Sequence, residues 1–345
     1  FVATVKDAIP GGQIKKGEET MLKSLVKNTL LGAALGGVLV SSISHASDKI
    51  VIAEFKWPSA QAYIEVMKQI LEQRLGLEVQ KLPGNNAIFY PGMSKGEIDF
   101  HIESWLPNQI ALHKKYVAEE GGDGTVVRSE GFYKGEAGVC VPRYFSEEYN
   151  VTKLTDLARP EIAKLLDTDG DGRGEIWAGN PAWIVSKEYT VSYRDHGLNA
   201  FNDTYSADAA VWFGNLKKAI AKKAGIAGYC WTPDGQFDIY DLVELEQDPH
   251  NDNCHKFVNP QTDENWMELS KITCATKSKH VHIVWSKKLE DKNPLVVSLL
   301  KGVSLETETL SGWAYEIQAN KRKPEEVAAE WIAANEATVN SWLGM

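Results

Sequence analysis

The chain has 345 residues, 37 Lys and Arg against 47 Asp and Glu, and a formal net charge of -10. That balance argues against a nucleic-acid binder, whose partner phosphates need a basic surface, and suits a protein kept soluble by like charge. With 43% hydrophobic residues the length allows one large or two medium domains, and the unusual feature of the composition is its 11 Trp.

Met21 opens a short basic stretch with Lys23 and Lys27, an apolar run follows from Leu30 to Val40, and Ser44-His45-Ala46 places small residues where a signal peptidase reads. The pattern predicts a secretory signal peptide over residues 21–46, cleaved after Ala46, and a periplasmic location. The apolar run is shorter than the roughly 20 residues a membrane span needs. Residues 1–20 lie upstream of Met21 and are read as over-extended translation outside the fold. No lipobox Cys follows the signal, so a lipid anchor is not expected.

Beyond the signal, Lys49–Phe55 reads as a strand and Lys56-Trp57-Pro58 as a loop. A helix is predicted from about Ser59, its N-cap, to Leu75, because Ile64, Met67, Ile70, Leu71 and Leu75 recur at helical spacing. Leu77–Leu82 is the next strand, and Ile98–Glu103 another after a helical turn. This alternation predicts an α/β lobe with a mixed, mostly parallel sheet flanked by helices. In such sheets ligands bind beyond the carboxyl ends of the strands. Trp57 and Trp105 stand at two of those ends. A hinge is placed near Gly131–Gly135, before the apolar strand Gly138–Pro142. Residues 139–281 then form a second lobe, and His282–Trp285 returns the chain to the first, so lobe 1 comprises 47–138 and 282–345 with two hinge crossovers. Residues 293–343 read as helical, with Ala328, Trp331, Ile332 and Ala334 on one apolar face.

Export permits disulfides. Cys254 and Cys274 flank a polar stretch and are placed to close a loop. Cys140 lies in the apolar run Ala137–Val141 and reads equally well as a buried free thiol. Spacing alone leaves the pairing of Cys140, Cys230, Cys254 and Cys274 open.

Asp167-Thr168-Asp169-Gly170-Asp171-Gly172-Arg173-Gly174-Glu175 is the sharpest local motif. Oxygen side chains stand at loop positions 1, 3, 5 and 9, with Gly at position 6 for the turn, and the Arg173 carbonyl falls at position 7. Position 12 is Ala178 where a full calcium loop has Glu. A structural Ca²⁺ bound by Asp167, Asp169, Asp171, Arg173 and Glu175 is expected, against the alternative of a metal-free acidic turn.

Trp57, Trp105, Trp183 and Trp231 each sit at a strand end or in a Pro-containing loop. Indole faces attract a diffuse methylated cation by roughly 0.5 to 2 kcal/mol each, and several rings form a cage. Singly, any Trp is better explained by packing. Trp331 and Trp342 belong to helical patterns, and Trp177, Trp212, Trp266, Trp285 and Trp313 carry no cleft signal. Glu54 and Glu103 lie near the same strand ends, as contributors of negative field or as solvated or lobe-bridging carboxylates. No Gly-x-Ser-x-Gly, phosphate-binding or dinucleotide fingerprint is present, and His280-x-His282 only alternates along a strand. An enzyme is not expected.

Four segments carry a family resemblance: Phe100–Pro107, Ile162–Gly172, Asn180-Pro181-Ala182-Trp183 and Tyr229–Pro233. Over residues 50–343 the chain resembles the glycine betaine, proline betaine and choline binding proteins of ABC importers, type II periplasmic binding proteins. The resemblance implies a cation box of Trp105, Trp183 and Trp231, joined by Trp57 as in choline binders. It implies that the amides of Ile184 and Val185 receive an anionic ligand oxygen, and that an ABC permease is the partner of a monomer. The chain departs from the betaine pattern at Gln109, where a His is usual, and from the choline pattern at Ser59, where an Asp is usual. A four-Trp box with little carboxylate chemistry suits a compact ligand such as trimethylamine N-oxide; the expected ligand is this or glycine betaine, with choline or dimethylsulfoniopropionate as alternatives. A different class, an exported hydrolase or receptor domain on the same fold, is the competing reading.

Overall fold

The computed structural model describes residues 49–345, so the signal peptide expected over 21–46 and the segment 1–20 lie outside the described residues. The first strand, β1 (Ile50–Glu54), buries Ile50 and Ile52 on one face and Ala53 on the other, as a strand covered on both sides must. It leads into α1 (Pro58–Leu75), which Gly76 ends at φ 66°. Ser59 is not the N-cap expected of it. Pro58 takes the first helical position, where its missing N–H costs nothing, so the cap moves back to Trp57 and Ser59 is buried inside the helix.

The first half continues through β2 (Val79–Pro83), α2 (Asn86–Lys95), β3 (Phe100–Leu106) and α3 (Ile110–Tyr116). Then β4 runs unbroken from Val126 to Pro142. The hinge expected near Gly131–Gly135 falls within this strand, which pairs with β11 over 126–135 and with β7 over 136–140, so its backbone groups are satisfied first by one partner and then by the other. The second half comprises α4 (Arg143–Tyr149), α5 (Pro160–Leu166), β5 (Gly174–Trp177), α6 (Ile184–Asp195), β6 (Asn202–Tyr205), α7 (Ala209–Lys222), β7 (Ala227–Thr232), α8 (Gln236–Tyr240) and β8 (Leu242–Glu244). A small hairpin of β9 (His255–Lys256), α9 (Trp266–Leu269) and β10 (Lys271–Ile272) precedes β11 (Lys279–Ser286). The chain closes with α10 (Leu289–Lys292), α11 (Pro294–Gly302), α12 (Thr307–Gln318), α13 (Pro324–Ala334) and α14 (Glu336–Trp342).

Strand order is β2-β1-β3-β11-β4-β7-β5-β6, with β8 on β4. The outer groups β2-β1-β3 and β7-β5-β6 are parallel, and the ladders made by β11 and β4 are antiparallel. Apolar residues of 50–133 and 281–342 build one set of cores, on both faces of β1 and β3. Those of 139–245 build another around β5 and β7. The mixed α/β layering thus places the carboxyl ends of β1, β3 and β7 around one opening.

Two disulfides form. Cys254–Cys274 closes the small hairpin, and Cys140–Cys230 ties β4 to β7 with Cα atoms 5.8 Å apart. The free-thiol reading of Cys140 is thereby overturned. Ninety residues separate the pair in sequence, and only strand pairing brings the two side by side. Among the described residues no helix is long and apolar enough to cross a membrane.

Candidate functional site

A cleft of about 950 Å³ opens between the two sets of cores, at the upper end for a small-molecule site. All nine residues expected to contact ligand line it: Glu54, Trp57, Glu103, Trp105, Gln109, Trp183, Ile184, Val185 and Trp231. Three of the four indoles meet at right angles. Trp57 and Trp183 have ring centroids 5.9 Å apart at 88°, and Trp183 and Trp231 are 5.5 Å apart at 83°. Rings so disposed present faces to a common volume, as the walls of a box do. Trp105 lines the same cleft but pairs edge-on with Tyr133, at 6.4 Å and 89°.

Local structure explains each placement. Trp57 and Trp183 are N-cap residues, held in extended conformation just before α1 and α6. Trp231 and Tyr229 share one face of β7 and stack at 5.3 Å and 16°. Trp105 stands near the end of β3 and presses on Gly135 so closely that a Cβ there would lie 2.5 Å from its Cζ3. Gly135 is therefore required by close approach and serves the cage wall.

Glu103 lies beneath the indoles and is 1% exposed. Trp105 Nε1 donates to its Oε2 at 2.6 Å. The Tyr133 hydroxyl and Trp57 Nε1 face the same carboxylate without closing a regular hydrogen bond. Burial pushes the Glu103 carboxyl up to about 7, and these three donors restrain the rise. No Lys or Arg forms an ion pair with it among the described residues. Glu54 differs: Lys81 Nζ lies 3.2 Å from its Oε1, and the same ammonium pairs with buried Glu65. Its charge is spent within its own lobe, so of the two acidic residues Glu103 is the one left without a basic partner among the described residues, and it contributes negative field in its ionised form.

Gln109 caps α3 and keeps a buried Oε1 without a protein partner. Ile184 and Val185 form the first turn of α6, whose opening amides have no intrahelical acceptor and carry the positive end of the helix dipole. The cleft thus offers aromatic faces and a buried carboxylate to a cation, and amide donors to an anionic oxygen.

Away from the cleft, one ligand atom from each of Asp167, Asp169, Asp171 and Glu175 lies within 4.8 Å of the others. Asp167 accepts from the Gly170 and Gly172 amides, and Glu175 from the Thr168 amide at 2.6 Å and its hydroxyl. Arg173 does not neutralise the cluster. Its guanidinium turns to Asp203 and to the carbonyls of Asn199 and Asn202. Four carboxylates this close, without an ammonium or guanidinium among them, fit a hard cation.

Sequence reasoning missed several aromatic supports. Phe55 packs on Trp57 at 4.4 Å, and Phe213 lies 6.1 Å from Trp231. Buried Trp177 stacks on Trp212 at 4.9 Å and 7° and backs both Trp183 and Trp231. Tyr229 was detectable, lying two residues from Trp231 in the same strand and hence on its face. Trp177 and Trp212 had no local signal.

Comparison with known proteins agrees with this architecture. Residues 48–334 match the family described as the substrate binding domain of ABC-type glycine betaine transport systems. A glycine betaine/proline betaine-binding periplasmic protein of Salmonella typhimurium is 22% identical over 345 residues, covering 92% of this chain and 98% of that protein. The glycine betaine-binding periplasmic protein OusX of Dickeya dadantii is 24% identical over 278 residues, covering 74% of this chain and 76% of that one. Among solved structures, lactococcal OpuAC in its closed-liganded conformation with glycine betaine superposes with a TM-score of 0.65 at 22% identity, covering 86% of this chain and 99% of that one. An ABC-transporter choline binding protein in complex with choline gives 0.66 at 16% identity, covering 87% and 92%. These likenesses establish the fold. By the extent of the family match, this chain belongs to the family of ABC-type glycine betaine transport substrate-binding domains.

Proposed function

We propose that this protein binds a small methylated ammonium osmolyte, trimethylamine N-oxide or glycine betaine, outside the cytoplasm and hands it to an ABC permease. The observation that carries the reading is the set of perpendicular indoles over a buried carboxylate with no basic partner among the described residues. A trimethylated nitrogen spreads its charge over its methyl groups. It gains from indole faces and from the Glu103 field while losing little hydration. Its oxygen is received by the amides opening α6, and Gln109 stands where a stronger carboxylate clamp would need a cation. The two sets of cores close on the ligand about β4 and β11, and reopen for release. The protein works as a monomer and returns its ligand unconverted. Periplasmic relatives and two disulfides support an oxidising, exported location.

We further propose that the Asp167–Glu175 loop holds a structural Ca²⁺ through Asp167, Asp169, Asp171 and Glu175, with the Arg173 carbonyl as an additional ligand. The ion would cancel carboxylate repulsion and fix the turn that leads into β5.

Calorimetric titration with trimethylamine N-oxide, glycine betaine, choline and dimethylsulfoniopropionate tests the main reading. One of the first two is expected to bind stoichiometrically at micromolar concentration and to be recovered unchanged. Binding of none of the four by folded protein would sink the proposal, and chemical conversion of the bound compound would favour an enzyme.

A further inference from the structure

The cleft has a wall that its aromatic residues do not account for. Asn259, Pro260 and Gln261 line it beside the opening turn of α6. They form the tip of the hairpin closed by Cys254–Cys274. Loop tips at a cleft rim are ordinarily loose, yet this hairpin is tied along the length of a single helix. Arg194 donates to the carbonyls of Met267 and Ser270, the latter at 2.7 Å. The Asp195 carboxylate accepts from the Ile272 amide at 2.7 Å. Buried Glu188 lies 2.8 Å from His255 Nε2, close enough for an ion pair though not aligned for a straight hydrogen bond. Glu188, Arg194 and Asp195 all belong to α6, the helix whose first turn carries Ile184 and Val185. Hairpin tip and helix amides therefore travel as one body when the lobes close.

We infer that this tip is the specificity wall of the cleft, reading the oxygen-bearing arm of the ligand. The inference rests on the methylated-ammonium reading. Indole faces see only methyl groups, which every trimethylammonium compound shares, so the rings cannot rank ligands by their fourth substituent. That task needs groups that donate and accept hydrogen bonds, and amide side chains do both. Asn259 Oδ1 accepts from the Gln261 amide at 2.8 Å. This turn fixes the tip and commits the oxygen, leaving Nδ2 of Asn259 as its donor. Glu188 acts through the hairpin as a positioning residue.

The test is calorimetric titration of the wild type, an Asn259→Ala/Gln261→Ala variant and Glu188→Gln. The probes are tetramethylammonium, which has no arm, trimethylamine N-oxide, glycine betaine and choline. Affinities of the oxygen-bearing ligands relative to tetramethylammonium are expected to shift by about five- to tenfold in the tip variant, the scale of one rim hydrogen bond. Glu188→Gln is expected to shift them in the same direction by less. Ratios unchanged within twofold in both variants overturn the inference and leave the cage standing. Equal losses for all four probes also overturn it, since the tip would then be mere support. Wild-type protein that binds no ammonium probe removes the cage reading, and this inference with it.

Discussion

Four buried ionisable groups predict how stability responds to acid. His101 and His113 are fully buried and held at about 3 against an ordinary 6.5, chiefly by burial. Glu103 and Asp234 are pushed by burial to about 7 from 4.5 and 3.8, with hydrogen bonds from Trp105 and from Gln236 and Gln318 restraining them. As pH falls below 6.5, the unfolded chain gains protons on two histidines that the folded protein refuses, which favours unfolding. Over the same range the folded protein holds protons on two carboxyls that the unfolded chain has released, which favours folding. Each proton is worth about 1.4 kcal/mol per pH unit, so the two pairs cancel and stability stays nearly level from about pH 6.5 to 4.5. Below that the unfolded carboxyls also protonate, and the histidines act alone. The slope becomes about 3 kcal/mol per pH unit, or about 4 kcal/mol between pH 4.5 and 3, a large part of the roughly 5–15 kcal/mol a domain has. Glu188 adds to this acid loss. Burial raises its carboxyl, but Lys279 and His255 outweigh that and hold it below its ordinary value. Urea unfolding of ligand-free protein, followed by Trp fluorescence at pH 7, 5.5, 4.5 and 3.5, measures the curve. A Glu103→Gln/Asp234→Asn variant lacks the compensating carboxyls and is expected to lose stability already below pH 6.5. A wild-type curve that falls steadily from pH 7 to 5, or stays flat to pH 3, refutes the reasoning.

Other consequences concern the cage and the acidic loop. Gly135→Ala places a methyl 2.5 Å from the Trp105 ring, so Trp105 must swing away. Ammonium affinity in calorimetry is expected to drop about tenfold, the scale of one lost cation–π wall. Trp183→Ala removes a ring that touches both Trp57 and Trp231 and is expected to cost at least as much. If both variants bind as the wild type does, the box is misassigned. Adding a calcium chelator is expected to lower the melting temperature by several degrees, and Asp169→Asn should remove most of that response. A melting temperature indifferent to chelator would leave the loop as a metal-free turn.

Several features were legible in sequence because their determinants are local. The Asp-x-Asp-x-Asp-Gly spacing of 167–172 is set by a turn of a few residues, and the carboxylates converge as that spacing requires. Strand-end positions of Trp57, Trp105 and Trp231 follow from hydrophobic patterning, and the family resemblance implied that they share one cleft, which they line. Other features depended on partners far along the chain. Gly131 and Gly135 look like a hinge by composition. Only the pairing of Gly135 with Lys279 of β11, and the Trp105 ring pressed on it, show that the segment is continuous strand and why a glycine is needed there. Cys140 looks like an apolar core residue until β7 is laid beside β4 and brings Cys230 to it. Glu54 and Glu103 are indistinguishable as strand-end acids. Lys81, placed by the β1–β2 pairing, pairs with one, and burial under the indoles leaves the other without a basic partner among the described residues and raises its pKa. Sequence by itself determined which strands end in a Trp, because strand periodicity is local, and the family resemblance supplied the rest of the expected cage. Tertiary structure alone decided which of them stay charged, which rings touch, and which loop closes the rim, because those depend on distances between segments that the chain order does not encode.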